Sequence, residues 1–368
     1  MVLSSNKRHG GLFVGACMRF CDRIILLALI ALWLGCDRPD YVRQGIDTFQ
    51  FSGRTMGTTY GIKGWFQESL GTEVQNQATL QQQVDRLLAK INAQMSTYLP
   101  DSELSRFNSA PPGQWFLVSP ETAFVVTEAI KYHKLTSGAL DVTIGPLLRL
   151  WGFGPQTGER PPPSYPPDQE HLHVVLQYVG CDHLKVRADP PALQKDIEGV
   201  EIDLSSLAKG YAVDQIVALL RHQGVAGVMV EIGGEVRAVG HRPDGTAWRI
   251  GIENPMPYGR KISHVVRLRD NALATSGDYR NFQQSQGETF SHIINPRTGQ
   301  SLPTQGASVT VCGTSCLEAD ALATALLLMG AERGVLWCEQ NSVAALFLTL
   351  KAGKVVEQYS PLFLRYTR

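Results

Sequence analysis

The sequence predicts an α+β protein. Three observations carry that prediction: apolar residues recurring at helical spacing, short β-rich runs bounded by turn residues, and no regular alternation between the two. No internal repeat and no clear linker divides the main body of the chain.

The N-terminus reads separately. Met1 to Arg23 carries Lys7, Arg8, Arg19 and Arg23 against one acid, Asp22, and Ile24 to Leu34 is an unbroken apolar run. A membrane-spanning helix needs about 20 such residues, so this shorter run suits the core of a secretory signal. Leu34-Gly35-Cys36 then resembles a lipoprotein processing site, with Trp33 where an aliphatic residue is usual and Cys36 as the lipidated thiol. Asp37, directly after it, resembles the inner-membrane retention residue of Gram-negative lipoproteins. An uncleaved anchor is the alternative. The expected organisation is a signal peptide over 1–35, a tether over 36–48 and one catalytic body over 49–368, exported and facing the periplasm.

Within the body, Phe49 to Phe51 and Thr58 to Trp65 read as strands around a Met56-Gly57 turn. Val84, Leu87, Leu88, Ile91 and Met95 keep helical spacing, which predicts an amphipathic helix over about Glu73 to Met95. Ser119-Pro120-Glu121 opens a second helix, with Gly138 as its stop. Pro155 to Pro167 is proline-rich and reads as a surface loop. A third helix follows Ala208 and ends near Gly224. Val228 to Ile232, Glu235 to Val239, Trp248 to Ile252 and Val265 to Leu268 read as strands, and Gly233-Gly234 marks a hairpin. Ser315-x-x-Glu318 is a capping box for a helix running to Met329 and closed by Gly330.

Composition removes some functions. Lys+Arg and Asp+Glu both number 34, so no basic excess points to nucleic acid. No Walker loop and no Rossmann glycine pattern is present. Cys181, Cys312, Cys316 and Cys338 show no metal-ligand spacing and read as buried thiols, with a 312–316 disulfide as an open possibility.

Asp320 and Thr324, four apart on the last predicted helix, share one face and can ligate a hard cation; an acid near a helix start and a surface threonine would look the same. Asp203, Ser205 and Ser206 suit a helix entry where backbone N–H groups attract phosphate, and Lys209 can neutralise a pyrophosphate; plain capping with a solvent lysine is the alternative. Ser137-Gly138-Ala139-Leu140-Asp141 can bring backbone close to a ligand, or simply cap a helix. Tyr98 can stack on a planar ring. His292, before a Pro/Gly turn, can accept a proton near neutral pH or serve structurally.

These segments together resemble the ApbE family, the FAD:protein FMN transferases. The resemblance runs through RTMGTTY (Arg54 to Tyr60), MSTYLPDSELSRFN (Met95 to Asn108), SGALDVTIGPLLRLWGFG (Ser137 to Gly154) and DLSSLAKGYAVD (Asp203 to Asp214). It continues through EIGGEVRA (Glu231 to Ala238), GIENP (Gly251 to Pro255), ATSGDYRN (Ala274 to Asn281), SHIINPRTG (Ser291 to Gly299) and EADALATAL (Glu318 to Leu326). It implies a single large T-fold-related domain of mixed, largely antiparallel sheets with packed helices. It further implies Mg²⁺-dependent transfer of FMN from FAD to a threonine, or sometimes serine, of a target flavoprotein, with AMP leaving. Family targets are flavin-carrying subunits of membrane redox complexes, such as Na⁺-translocating NADH:quinone oxidoreductase and its relatives.

Carried over by motif, Met56, Tyr98, Ala139, Leu140, Asp141, Asp203, Lys209 and Ile294 are expected to contact FAD. Ser206, Asp320 and Thr324 are expected to hold Mg²⁺, and His292 is the expected base, with Asp320 and Asp203 as lesser candidates. Three positions depart from the family pattern: Ala323 stands where some members have a second acid, Lys209 where some have an acid, and Leu140 where Phe is more usual. An FAD pyrophosphatase and a non-catalytic FAD-binding lipoprotein use the same residues and stand as alternatives.

Overall fold

The computed structural model describes residues 46–67, 76–155, 166–256, 261–279, 282–285, 287–304 and 306–367. The signal peptide, Cys36 and most of the proline-rich loop lie outside the described residues.

The described residues begin with a hairpin, β1 (Ile46–Thr55) and β2 (Thr58–Gln67), so residues 46–48 are strand and not tether. Then come α1 (Gln77–Met95), α2 (Glu103–Ser109), β3 (Phe116–Leu117), α3 (Pro120–Leu135), α4 (Gly145–Leu150), α5 (Gln169–Leu176), β4 (Leu184–Ala188), β5 (Pro191–Lys195) and α6 (Ala208–His222). The second half adds β6 (Gly227–Ile232), β7 (Glu235–Val239), β8 (Trp248–Glu253), β9 (Ile262–Leu268), β10 (Asn271–Gly277), β11 (Phe282–Ser285), β12 (Glu288–Ile294), β13 (Ser301–Pro303) and β14 (Ala307–Gly313). It closes with α7 (Cys316–Met329), α8 (Ala331–Asn341), β15 (Ala344–Lys351) and β16 (Lys354–Tyr359).

The main sheet has the order β1-β2-β6-β7-β10-β14-β15-β16, and each of its neighbouring pairs is antiparallel. This is the α+β, largely antiparallel architecture that the sequence predicts. Both faces of the sheet are covered, and side-chain alternation shows how. On β15, Ala345 and Phe347 join the core built with α1, α6 and α7. Ala344, Leu346 and Leu348 point the other way, into a second core with Trp248, Val266 and Phe363. A strand buried on both faces reads as a continuous apolar run, as Ala344 to Leu348 does.

The thiols follow from the same layering. Cys312 belongs to the second core and Cys316 to the first, and both are free and buried. They do not form the disulfide left open by their spacing.

The predicted helix starts hold where a side chain caps them. Ser119 accepts from Thr122 N, and Ser315 accepts from Glu318 N. Helix α7 is apolar nearly all round, and ten of its 14 residues are buried. Such a helix belongs in the interior, not on a surface. It is therefore the innermost support for anything mounted on it. A small third core of Leu147, Trp151, Leu172 and Ile294 ties α4 and α5 to β12.

Candidate active site

One cleft of about 1310 Å³ gathers the sequence-predicted residues. Met56, Tyr98, Ala139, Leu140, Asp141, Asp203, Ser206, Lys209, His292, Ile294, Asp320 and Thr324 all line it. They come from the β1–β2 turn, the loop after α1, the α3–α4 connection, the entry to α6, β12 and α7.

Each wall has a local cause. At the tip of the first hairpin, Met56 (φ 48°) and Gly57 (φ 71°) both take positive φ, the tight turn that suits a right-twisted hairpin and presents Met56 to the cleft. Tyr98 is 67% exposed at the mouth, and its hydroxyl donates to the Phe153 carbonyl at 3.1 Å. The Phe153 ring in turn meets the His292 ring edge-on, 6.3 Å between centroids.

Asp141 is buried and heavily partnered. Its Oδ1 accepts from Thr143 N at 2.8 Å and from the Thr143 hydroxyl, and its Oδ2 accepts from Cys181 N. His133 Nδ1 stands 3.2 Å from Oδ2 and 2.9 Å from the Leu140 carbonyl. Burial alone would raise the Asp141 carboxyl, but His133 and Thr143 outweigh it and hold it below its ordinary range. Asp141 thus braces the loop that presents Ala139 and Leu140.

At the entry to α6 the plain-capping alternative fails for Asp203. Asp203 does not cap the helix: its Oδ1 accepts from Ser205 N at 2.8 Å, and α6 begins at Ala208 behind Leu207, which makes no side-chain cap. Aspartate bonding the backbone two residues on stabilises a turn instead. That turn leaves Ser206 half-buried in the cleft wall. Thr97 donates to Asp203 Oδ2 at 3.3 Å and fastens the turn to the loop after α1.

Of the cation candidates, Asp320 is buried and Ser206 and Thr324 are half-buried. Asp320 is 2% exposed, which excludes the surface-acid reading. Its Oδ2 accepts from Gly210 N at 3.0 Å and lies 3.6 Å from Lys209 Nζ. The Thr324 hydroxyl, one turn along α7, is bonded to the Ser276 hydroxyl at 3.0 Å. Lys209 also donates to the Ser205 carbonyl at 3.0 Å and stands 3.8 Å from Glu235 Oε1. Burial works against the ammonium, yet Asp320 and Glu235 together hold it above the ordinary lysine range. Burial also raises the Asp320 carboxyl, with Lys209 pulling it back down. The set of one buried carboxylate and two hydroxyls, Ser206 and Thr324, is all hard oxygen, which fits Mg²⁺ and its retained waters.

Comparison with known proteins places the chain in a family. The ApbE family model matches residues 56–347. The chain belongs to the ApbE family. A relative from Vibrio cholerae serotype O1, named FAD:protein FMN transferase, is 44% identical over 325 residues, covering 88% of this chain and 92% of the relative. One of the same name from Escherichia coli K12 is 32% identical over 345 residues, covering 93% and 96%. The flavin transferase ApbE structure from Vibrio cholerae superposes with a TM-score of 0.77 at 42% identity, over 88% of this chain and all of that one. The apo flavinyl transferase ApbE of Pseudomonas stutzeri gives 0.76 at 34% identity, over 88% and 97%.

Two residues of this ApbE-family cleft escaped sequence reading. Ser276 sits in ATSGDYRN with no local mark of its task, and Glu235 reads only as the first residue after a hairpin. Burial, reinforced by Asp320, raises the Glu235 carboxyl to about 8 while Lys209 pulls the other way. A second group, His133, Asp141 and Cys181, brings potential ligand atoms together, but internal hydrogen bonds already occupy the Asp141 oxygens.

Proposed function

We propose that this chain is a Mg²⁺-dependent FAD:protein FMN transferase that esterifies a threonine or serine hydroxyl of a target flavoprotein and releases AMP. The supporting observation is the convergence of Asp320, Thr324, Ser206 and Asp203 with an aromatic mouth, Tyr98 and Phe153, in one cleft. The names of the relatives supply the reaction class.

In this reading the target hydroxyl oxygen bonds to the phosphorus on the FMN side of the FAD pyrophosphate. The bond from that phosphorus to the AMP phosphate oxygen breaks, and the hydroxyl proton goes to an imidazole nitrogen of His292. Asp320, Thr324 and Ser206 would hold Mg²⁺, which when bound neutralises charge growing on the leaving group. Asp320 is positioned by Gly210 N–H and Thr324 by Ser276, so neither has to reorganise during the reaction. The Tyr98 ring, anchored through its hydroxyl, offers a face on which the flavin or adenine stacks.

The target class is the flavin-carrying subunits of membrane redox complexes, of the Na⁺-translocating NADH:quinone oxidoreductase type or its relatives. The place of work is the periplasmic face of the inner membrane, with Cys36 lipidated. Support for this comes from the apolar run Ile24 to Leu34 and the Leu34-Gly35-Cys36-Asp37 sequence. Loss of labelled lipid on Cys36→Ala would support that anchor, and retained label would refute it.

The function is tested by incubating the protein with FAD, Mg²⁺ and a candidate subunit, then mapping the subunit by mass spectrometry. FMN on a threonine with matching AMP release is expected. FMN and AMP released at the same rate without a target would make it a pyrophosphatase. Bound FAD with no turnover would make it a carrier.

A further inference from the structure

Glu235 is the first residue of β7, directly after the Gly233–Gly234 turn. It is 3% exposed and lines the cleft beside Lys209 and Asp320. Its Oε1 lies 3.8 Å from the Lys209 ammonium, the same group that stands 3.6 Å from Asp320. Its Oε2 is buried and has no hydrogen-bond partner among the described residues. That oxygen faces the turn: a methyl group on Gly233 would stand 3.5 Å from it.

A buried acceptor without a donor costs about 1–3 kcal/mol, and more when charged. Folding alone gains nothing from that unpartnered oxygen. Charge points the same way. Lys209 balances one of two carboxylates, so with both ionised the cluster carries one negative charge in excess. Mg²⁺ sites commonly use one or two carboxylates together with phosphate oxygens. Asp320 supplies one. Ala323, the neighbour of Thr324, is fully buried and its side chain has no ligand atom, and Glu318, the other acid of α7, faces Lys131, Glu128 and Asp214 instead.

We propose that Glu235 is the second carboxylate of the divalent-cation site, supplied across the cleft by β7 in place of an acid next to Thr324. This rests on the assignment of the cation to Asp320 and Thr324. In this arrangement Lys209 bridges Asp320 and Glu235 until the cation takes over their negative charge. The ammonium is then available to a phosphate oxygen of the dinucleotide.

The test is Mn²⁺ binding in the presence of FAD, read from the electron paramagnetic resonance of free Mn²⁺, for the full chain, Glu235→Gln and Asp320→Asn. Loss of a metal-supporting carboxylate typically weakens affinity about 10- to 100-fold. Glu235→Gln is expected to weaken Mn²⁺ binding by about 10-fold or more, and Asp320→Asn to abolish it. If Asp320→Asn loses the ion and Glu235→Gln keeps wild-type affinity, the role of Glu235 is refuted and the site itself stands. If neither changes affinity, both assignments fail. Should Glu235→Gln not fold, Glu235→Asp retains the charge one methylene farther back; weaker binding supports the proposal, and unchanged binding refutes it.

Discussion

The Lys209 ammonium stands 3.6 Å from Asp320 Oδ2, joining the first turn of α6 to the buried face of α7. The same Asp320 oxygen takes the Gly210 amide, 110 residues away in sequence. A carboxylate 2% exposed and held by an amide and an ammonium is partnered within the protein, not by solvent.

Asp320→Asn is therefore expected to abolish Mg²⁺-dependent transfer while the protein stays folded, because Glu235 keeps Lys209 partnered. A metal ion supplies several kcal/mol of charge stabilisation, and each 1.4 kcal/mol is about tenfold in rate, so a loss of at least ~100-fold is expected. Initial rates at saturating FAD, alongside far-ultraviolet circular dichroism, check both halves of the expectation.

Ser276→Ala removes the partner of the Thr324 hydroxyl without touching Asp320. The expected result is about 10-fold weaker divalent-ion affinity, with activity recovered at high Mg²⁺. A titration of rate against Mg²⁺ separates this from a lowered maximal rate, which would mean that Ser276 has another task.

Gly210 lets α6 lie directly on the start of α7. A Cβ there would fall 2.4 Å from the Cys316 carbonyl oxygen and 2.8 Å from Leu317 Cα, both backbone atoms that cannot swing away. Gly210→Ala is expected to lower stability by about 1–3 kcal/mol and to displace Asp320 with α7. Thermal unfolding with and without Mg²⁺ should show a lower midpoint and a smaller increment from the ion.

The sequence carried much of this site, and the exceptions have physical causes. The Ser315 capping box and the Asp320–Thr324 spacing are local patterns, so both were legible in the sequence and α7 formed as expected. The Met56-Gly57 turn was legible because turn chemistry is local too. The start of α6 after Ala208 is legible too, whereas the turn at Asp203 is not, because an aspartate favours a cap and an Asx turn alike. Glu235 and Ser276 were invisible, because strand pairing and helix packing bring them to Lys209 and Thr324. The burial of Asp320 is also not legible in a helix pattern that is apolar nearly all round.

His133 and Asp141 give the fold a defined pH response. Hydrogen bonding to Asp141, against the opposing effect of burial, raises the His133 pKa, so its stabilisation is full below about 6.5 and fades as pH rises through the higher folded value. Asp141 is lowered, so its share is present above about 3.9 and is lost as pH falls through the lower folded value. The melting temperature should fall between pH 6 and pH 8 by more in the wild type than in His133→Asn. Equal slopes would show that the pair is not coupled.

His292→Ala is expected to slow transfer by about 10²–10⁴, the usual contribution of a positioned base, with FAD binding retained. A wild-type rate would move the base to Asp203 or Asp320.

The most direct measurement is anomalous diffraction from crystals soaked with FAD and Mn²⁺. The expected result is a peak beside Asp320 and Thr324, next to bound FAD. A peak elsewhere, with residues 320 and 324 turned from every phosphate, would contradict it.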